Sequence, residues 1–268
     1  MDKTEIIEKQ KIFIDKINEA DVVLVGIGEE FNEKFSNISK FPKIVSVLDK
    51  IDSNSELEWI VPFLEKNYLD NYNEDIILDA YKNLYELLKD KNYFILTTCI
   101  DGKIHKAGFD KDKIVEPCGN YKMLQCSEKC SSDLYPSDEF MDLINEKVEK
   151  SDEFKNLKRP VCPNCGKPLV FNNILCENSY VEQGYQPQWE KYTKWLQLTL
   201  NKKLCILELG VGMNLPNVIR WPFEKVAFYN QKASFFRINK SLYQMAEELS
   251  EKGISIEENA VEFLQQIK

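Results

Sequence analysis

The sequence predicts an α/β protein: a parallel sheet with helices on both faces, interrupted by a small metal-binding module. Three observations carry that reading. Short apolar runs rich in β-branched residues alternate with longer stretches of helical period, the signature of βαβ units. A Gly-x-Gly sequence directly follows the first of these runs. Two close cysteine pairs fall in the one region where the alternation stops.

Residues 2–20 carry Ile6, Ile7, Ile14 and Ile17 among Glu and Lys, the pattern of a charged amphipathic helix. Residues 20–26 (ADVVLVG) are apolar and β-branched, as a buried parallel strand requires. The run ends in Gly26-Ile27-Gly28, where two glycines let the chain turn tightly, either over a ligand or simply into the next segment. Within 54–90, Trp59, Phe63, Tyr81, Leu84, Leu87 and Leu88 recur at helical spacing and lead to a second strand at 93–98. Residues 204–210 (LCILELG), 225–230 (KVAFYN) and 233–239 (ASFFRIN) read as further strands. Between them, Trp189, Tyr192 and Trp195 have the spacing of a packed helix face. Ligands in such sheets gather at the carboxyl ends of the strands. From Cys118 to about Leu169 the chain is rich in Cys, Ser, Asp and Lys, with a charged helical piece at 138–150. The expected division is a larger domain from 1–117 and 177–268 and an inserted module at 118–176.

The 268 residues suffice for one large or two small domains, and 43% hydrophobic with 29% charged residues excludes collagen-like and disordered classes. With 35 Lys and Arg against 44 Asp and Glu, the formal charge of −9 works against phosphate backbones and anionic lipid. Neither nucleic acid nor a membrane is therefore an expected partner. No apolar run reaches the roughly 20 residues that span a bilayer, and the opening MDKTEIIEKQKIF is too charged for a signal peptide. A cytoplasmic protein is expected. Eight cysteines without an export signal then point to metal binding or reactive thiols, not to disulfides. The single histidine, His105, excludes metal sites built from several imidazoles and is read as structural.

Cys126 and Cys130 form C-x3-C, and Cys162 and Cys165 form C-x2-C within CPNCGKP. Two short loops, each offering two sulfurs to one ion, make a tetrahedral structural zinc site. Four thiolates leave no open position for water, so such a zinc holds the module together and does not catalyse.

The glycine loop after the first strand, TTCID at 97–101, HKAGFD after it and IVEPCGNY at 114–121 occur in an order that resembles the sirtuins. AGFDKDKI, CGNYKMLQCSEKC, PVCPNCGKPL, SYVEQGY and LELGVGMNLPNVIRWPF look like the macrodomain-linked, class M branch of bacterial and fungal sirtuins, over residues 20 to 240. The resemblance implies a Rossmann-like domain holding NAD or ADP-ribose at its strand ends, beside a smaller zinc-bearing domain. It implies NAD-dependent mono-ADP-ribosylation of a lipoylated carrier protein, reversed by a macrodomain partner, with deacylation as the lesser alternative. Gly26 and Gly28 would face the NAD phosphates, Asp101 the nicotinamide ribose, and Gly210, Gly212, Asn214 and Asn239 the adenosine half.

The chain departs from that pattern where the reaction occurs. Cys99 stands where sirtuins have Asn, Cys118 where they have His or, in class M, Gln, and Leu175 where class M has Arg. A thiol does not replace a carboxamide as a two-way hydrogen bonder. Glu29 and Glu30 follow the glycines where sirtuins carry Ala and Ser. Asp101, Cys99 and Cys118 are thus the catalytic candidates of an enzyme with a degenerate centre. The alternatives are a catalytically silent scaffold or regulatory protein, and a redox or soft-metal sensor built on Cys99, Cys118 and Cys176.

Overall fold

A computed structural model describes residues 3–32, 35–52, 55–71, 76–149 and 153–267. Residues 2, 54 and 150, which end three of the segments predicted above, lie outside the described residues. The first amphipathic stretch forms α1 (Lys3–Glu19) and leads into β1 (Val22–Ile27). The chain continues through α2 (Pro42–Asp52), α3 (Val61–Asn71), α4 (Ile76–Leu88), β2 (Tyr93–Thr97) and β3 (Ile114–Val115). Next come β4 (Gly119–Cys126), β5 (Tyr135–Pro136), α5 (Asp138–Glu149), β6 (Leu169–Asn173) and α6 (Gln186–Gln197). The last third holds β7 (Leu204–Leu209), α7 (Arg220–Tyr229), β8 (Ser234–Ile238), β9 (Gly253–Ile256) and α8 (Ala260–Gln265).

Six strands pair in parallel in the order β3-β2-β1-β7-β8-β9. Both faces are covered, which explains why β1 and β7 are buried along their whole length. Val23, Val25 and Ile27 point into one core with Phe13, Tyr81, Leu84 and Phe263, from α1, α4 and α8. Val22 and Leu24 point the other way, into a core with Tyr192 of α6 and Phe223 of α7. From β1 the chain moves outward to β2 and β3, then returns across β1 to start β7 on its other side. The loops leaving β1 and β7 therefore diverge, which opens a crevice at their carboxyl ends.

The strand expected at 225–230 is not one: these residues complete α7. Ile219, Phe223 and Ala227 are buried at intervals of four, whereas Trp221, Phe228 and Tyr229 on the other side are exposed. That is a helical period, and the apolar run concealed it because both faces of α7 carry large side chains. Conversely, two short strands, β3 and β9, close the sheet at its edges without an apolar run long enough to read.

The module holds a second, antiparallel sheet in the order β5-β4-β6. Its core is not its own. Ile44, Val47 and Ile51 of α2 and Phe63, Leu64 and Tyr68 of α3 pack with Tyr121, Met141, Ile144 and Phe171. Phe63 meets Phe171 at 4.6 Å between ring centroids. The helices α2 and α3, which fall in the larger domain by the sequence, thus bury their apolar faces against the module. Among the described residues, no helix is long and apolar enough to cross a membrane.

One row of residues across three strands fixes α7. Gly26 on β1 pairs in register with Glu208 on β7, and Glu208 with Arg237 on β8. A Cβ at Gly26 would lie 2.3 Å from Ile219 Cγ2 and 2.7 Å from Phe223 Cε2, so only glycine admits the helix at this distance. Gly26→Ala is expected to push α7 off the sheet at a cost of about 1–3 kcal/mol. Thermal unfolding will check this: the midpoint should fall by roughly 2–4 °C for each kcal/mol, and an unchanged midpoint would refute the contact.

Candidate functional site

The four predicted metal ligands come together. Cys126 ends β4, and Cys130 follows a turn in which Lys129 adopts φ 48°. Cys162 and Cys165 lie on a second turn, completed by Gly166 at φ 71°. A side chain at position 166 would meet nothing within 4 Å, so the glycine serves the turn's conformation and not its packing. Cys126 Sγ lies 3.5 Å from Cys165 Sγ, and Cys130 Sγ lies 3.6 Å from Cys162 Sγ. All four sulfurs lie within 4.8 Å of one another, and none forms a disulfide. Four thiolates at about 2.3 Å from a zinc ion would be separated by somewhat under 4 Å, so the donor set suits a tetrahedral soft cation. Although burial opposes it, the N–H groups of Asn164 and Cys165 bring the Cys162 thiol down to about 7. The neighbouring sulfurs act the other way on Cys130, whose thiol is pushed up to about 12, so the lowered and raised thiols share protons within the cluster.

The second centre is the crevice between the ends of β1 and β7. Gly28 ends β1 with its N–H on Leu209 O at 3.0 Å, and a Cβ there would lie 2.4 Å from Val211 Cα. The loop after β7 turns through Gly210, at φ 62°, while Gly210 O accepts the N–H of Glu30 at 3.1 Å. Asn239, at the end of β8, donates to Val211 O at 3.2 Å and accepts from the N–H groups of Ser241 and Leu242 at 2.9 and 2.7 Å. It pins the β7 and β8 loops to each other. The two glutamates reach into the same place. Glu29 accepts the N–H of Asn214 at 3.2 Å, and Glu30 accepts those of Lys240 at 2.8 Å and Ala260 at 2.7 Å. Burial raises the Glu30 carboxyl above its ordinary value, with the Ala260 and Lys240 N–H groups acting against the rise.

At the end of β2, Cys99 is buried and its thiol donates to Gly28 O at 3.3 Å. Burial, reinforced by the charge of Asp101, holds this thiol well above its usual value. The buried hydroxyl of Tyr81 lies against it. Asp101 accepts the N–H of Lys103 at 2.9 Å, and the Lys103 side chain is itself fully buried. Cys118 is buried just before β4, where burial pushes its thiol up to about 12. The thiol of Cys176 donates to Phe171 O at 2.8 Å, and Leu175 is 65% exposed. Among the described residues, Cys99, Cys118 and Cys176 do not cluster closely enough to hold a metal; only the four module cysteines do.

The structural role expected of His105 has a definite partner, and the site also holds a buried ion pair that the sequence did not disclose. His105 Nε2 meets Glu116 Oε2 at 2.8 Å, and Asn120 donates to the same oxygen at 2.9 Å, so the one histidine ties the β2 and β4 loops together. Beneath the crevice, Arg237 grips Glu208 through Nε at 2.7 Å and Nη2 at 2.9 Å. A charged residue within an apolar run is the only trace such a pair leaves in the sequence.

No family model matches the chain. In sequence it is similar to a protein ADP-ribosyltransferase of Staphylococcus aureus strain Mu50: 27% identical over 265 residues, covering 91% of this chain and 82% of that protein. It is 28% identical over 233 residues to a probable bifunctional ADP-ribose hydrolase/ADP-ribosyltransferase of Fusarium oxysporum f. sp. cubense, covering 78% of this chain and 38% of that protein. A solved Sir2 structure with a p53 peptide and NAD+ superposes with a TM-score of 0.54 at 16% identity, covering 96% of each chain. Sir2Tm bound to a propionylated peptide gives 0.51 at 17% identity, covering 97% of each. The chain has the sirtuin fold, and both of these relatives by sequence carry ADP-ribosyltransferase in their names.

Replacing one ligand of the cysteine cluster tests its role. Cys162→Ser is expected to lose the bound metal and, because a structural zinc contributes on the order of 10 kcal/mol, to lower the melting temperature by about 10 °C or more. Elemental analysis with thermal unfolding will decide: full metal content and an unchanged midpoint would exclude a structural site.

Proposed function

We propose that this chain is a sirtuin-fold protein of the ADP-ribosyltransferase type whose transfer centre has become inert, and that it works as a zinc-stabilised binding or regulatory protein. One observation carries the reading: both thiols at the positions that the resemblance assigns to the reaction are buried, and burial raises each above the ordinary thiol range. A thiol with its pKa at about 12 is ionised to about one part in 10^5 at neutral pH. Cys118 is then neither a base nor a nucleophile. Cys99 spends its single proton on Gly28 O, so it offers an incoming ribose or water no donor. Asp101 retains its carboxylate, but that group caps the turn at Lys103.

NAD is the co-substrate that the fold and the relatives imply, and the crevice does not fit it as built. Three N–H groups at the strand ends beside the glycine loops already hold two carboxylates. No step is therefore derived through it. The donor set of the cysteine cluster fits zinc, which would supply structure and no chemistry. The expected partner is a protein of an ADP-ribosylation system, a lipoylated carrier or a macrodomain hydrolase. The Fusarium relative, which by name combines hydrolase and transferase, supports the latter. Eight reduced cysteines suit a reducing compartment and hence the cytoplasm.

The test is turnover. Zinc-loaded protein, NAD and a lipoylated carrier protein are incubated beside the staphylococcal relative as the active control. Nicotinamide is read by chromatography and the acceptor by intact mass. The expected result is no nicotinamide and no added mass above the enzyme-free blank. Measurable transfer by this chain, abolished in Asp101→Ala, would sink the proposal.

A further inference from the structure

The glycine-rich loop after β7 invites a ligand, yet its partners belong to the chain. A Cβ on Gly212 would lie 1.9 Å from Glu29 Oε2, so this carboxylate rests directly on the Gly212 backbone. A Cβ on Gly210 would lie 2.6 Å from the Cβ of Glu30. The glycines are thus as necessary to the two glutamates as they would be to a bound phosphate. The hydrogen bonds follow the same logic. Asn214 follows the β7 loop, Lys240 follows β8, and Ala260 follows β9; all three N–H groups converge on Glu29 and Glu30. Glu30 accepts one N–H on each oxygen, as a phosphate group bridging two loops would.

We infer that Glu29 and Glu30 are permanent occupants of the anion cradle at the sheet switch point, an internal substitute for a diphosphate that closes the crevice to dinucleotides. Two costs face an entering diphosphate: it must displace carboxylates that already satisfy the N–H groups, and it must then lie beside their charges. Neither cost involves Cys99 or Cys118, so the inference is independent of the inert transfer centre. It also reassigns Gly210, Gly212 and Asn214 from adenosine contacts to contacts with the chain's own carboxylates.

The experiment is a gain of binding. ADP-ribose, NAD and inorganic pyrophosphate are titrated by calorimetry into the zinc-loaded full chain and into the double variant Glu29→Ala, Glu30→Ser. The wild type is expected to show no heat up to about 1 mM ligand, and the double variant to bind ADP-ribose at least about tenfold more tightly. Wild-type binding as tight as the variant's would overturn the inference while leaving the absence of turnover unexplained by it and unaffected. A double variant with native metal content and circular dichroism that gains no affinity would overturn it as well. Should that variant not fold, Glu30→Gln keeps the shape and removes the charge. The Lys240 and Ala260 amide resonances must then shift upfield, whereas their movement on adding ADP-ribose to the wild type would refute the occupancy directly.

Discussion

The bidentate pairing of Glu208 with Arg237 is the constraint on which the crevice rests. Both residues sit next to the carboxyl ends of adjacent parallel strands at 1% exposure, directly opposite one another in register. A carboxylate in that position is tolerable only if its charge is met and its lone pairs are used, and here both conditions hold. Arg237 Nη2 also reaches Glu224 Oε1 at 2.7 Å, and Arg220 Nη1 reaches Glu208 Oε1 at 3.3 Å, so two charges of each sign are linked. Breaking such a pair from one side generally costs about 3–5 kcal/mol, because the remaining charge stays buried. The network therefore fixes strand register and helix position together: any slip of β8 against β7 would strand both charges.

The same cations organise the loops above. Arg220 donates to Val211 O at 2.9 Å and to Leu242 O at 2.7 Å, and Arg237 donates to Gln244 O at 2.7 Å. Those carbonyls tie the loops after β7 and β8 to the buried arginines. Gly26 belongs to this construction, because the close approach of α7 brings Arg220 and Glu224 over the strand pair. The first glycine of the Gly-x-Gly thus acts through helix packing, and the second through contact with the Val211 backbone.

The parts of this architecture visible in the sequence are those whose cause is local. β1, β2, β7 and β8 are short apolar runs with nearly every residue buried, and the cysteine pairs declare themselves by spacing. The fold class followed from these, as did the metal cluster. What stayed hidden depends on partners distant along the chain. The acceptors Glu29 and Glu30 stand 185, 210 and 230 residues from their donors, and no local pattern joins them. The core shared by α2, α3 and the module is hidden for the same reason. α7 misled for a different one: Trp221, Phe228 and Tyr229 are exposed aromatics, so the apolar period that marks a one-sided helix is blurred. Cys99 and Cys118 were legible as departures from a family pattern, but their protonation follows from burial, which only the fold supplies.

Both ends of the crevice have changed in one direction. At the reacting end, thiols stand where the resemblance implies polar side chains, and at the phosphate end, carboxylates stand where it implies Ala and Ser. Here the three donors are satisfied at 2.7 to 3.2 Å, and the glycines that make room for the carboxylates are present. A cradle that must bind a diphosphate has to leave its donors available to it. This one has its acceptors within the chain, so the contacts between the β1, β7, β8 and β9 loops form without a nucleotide.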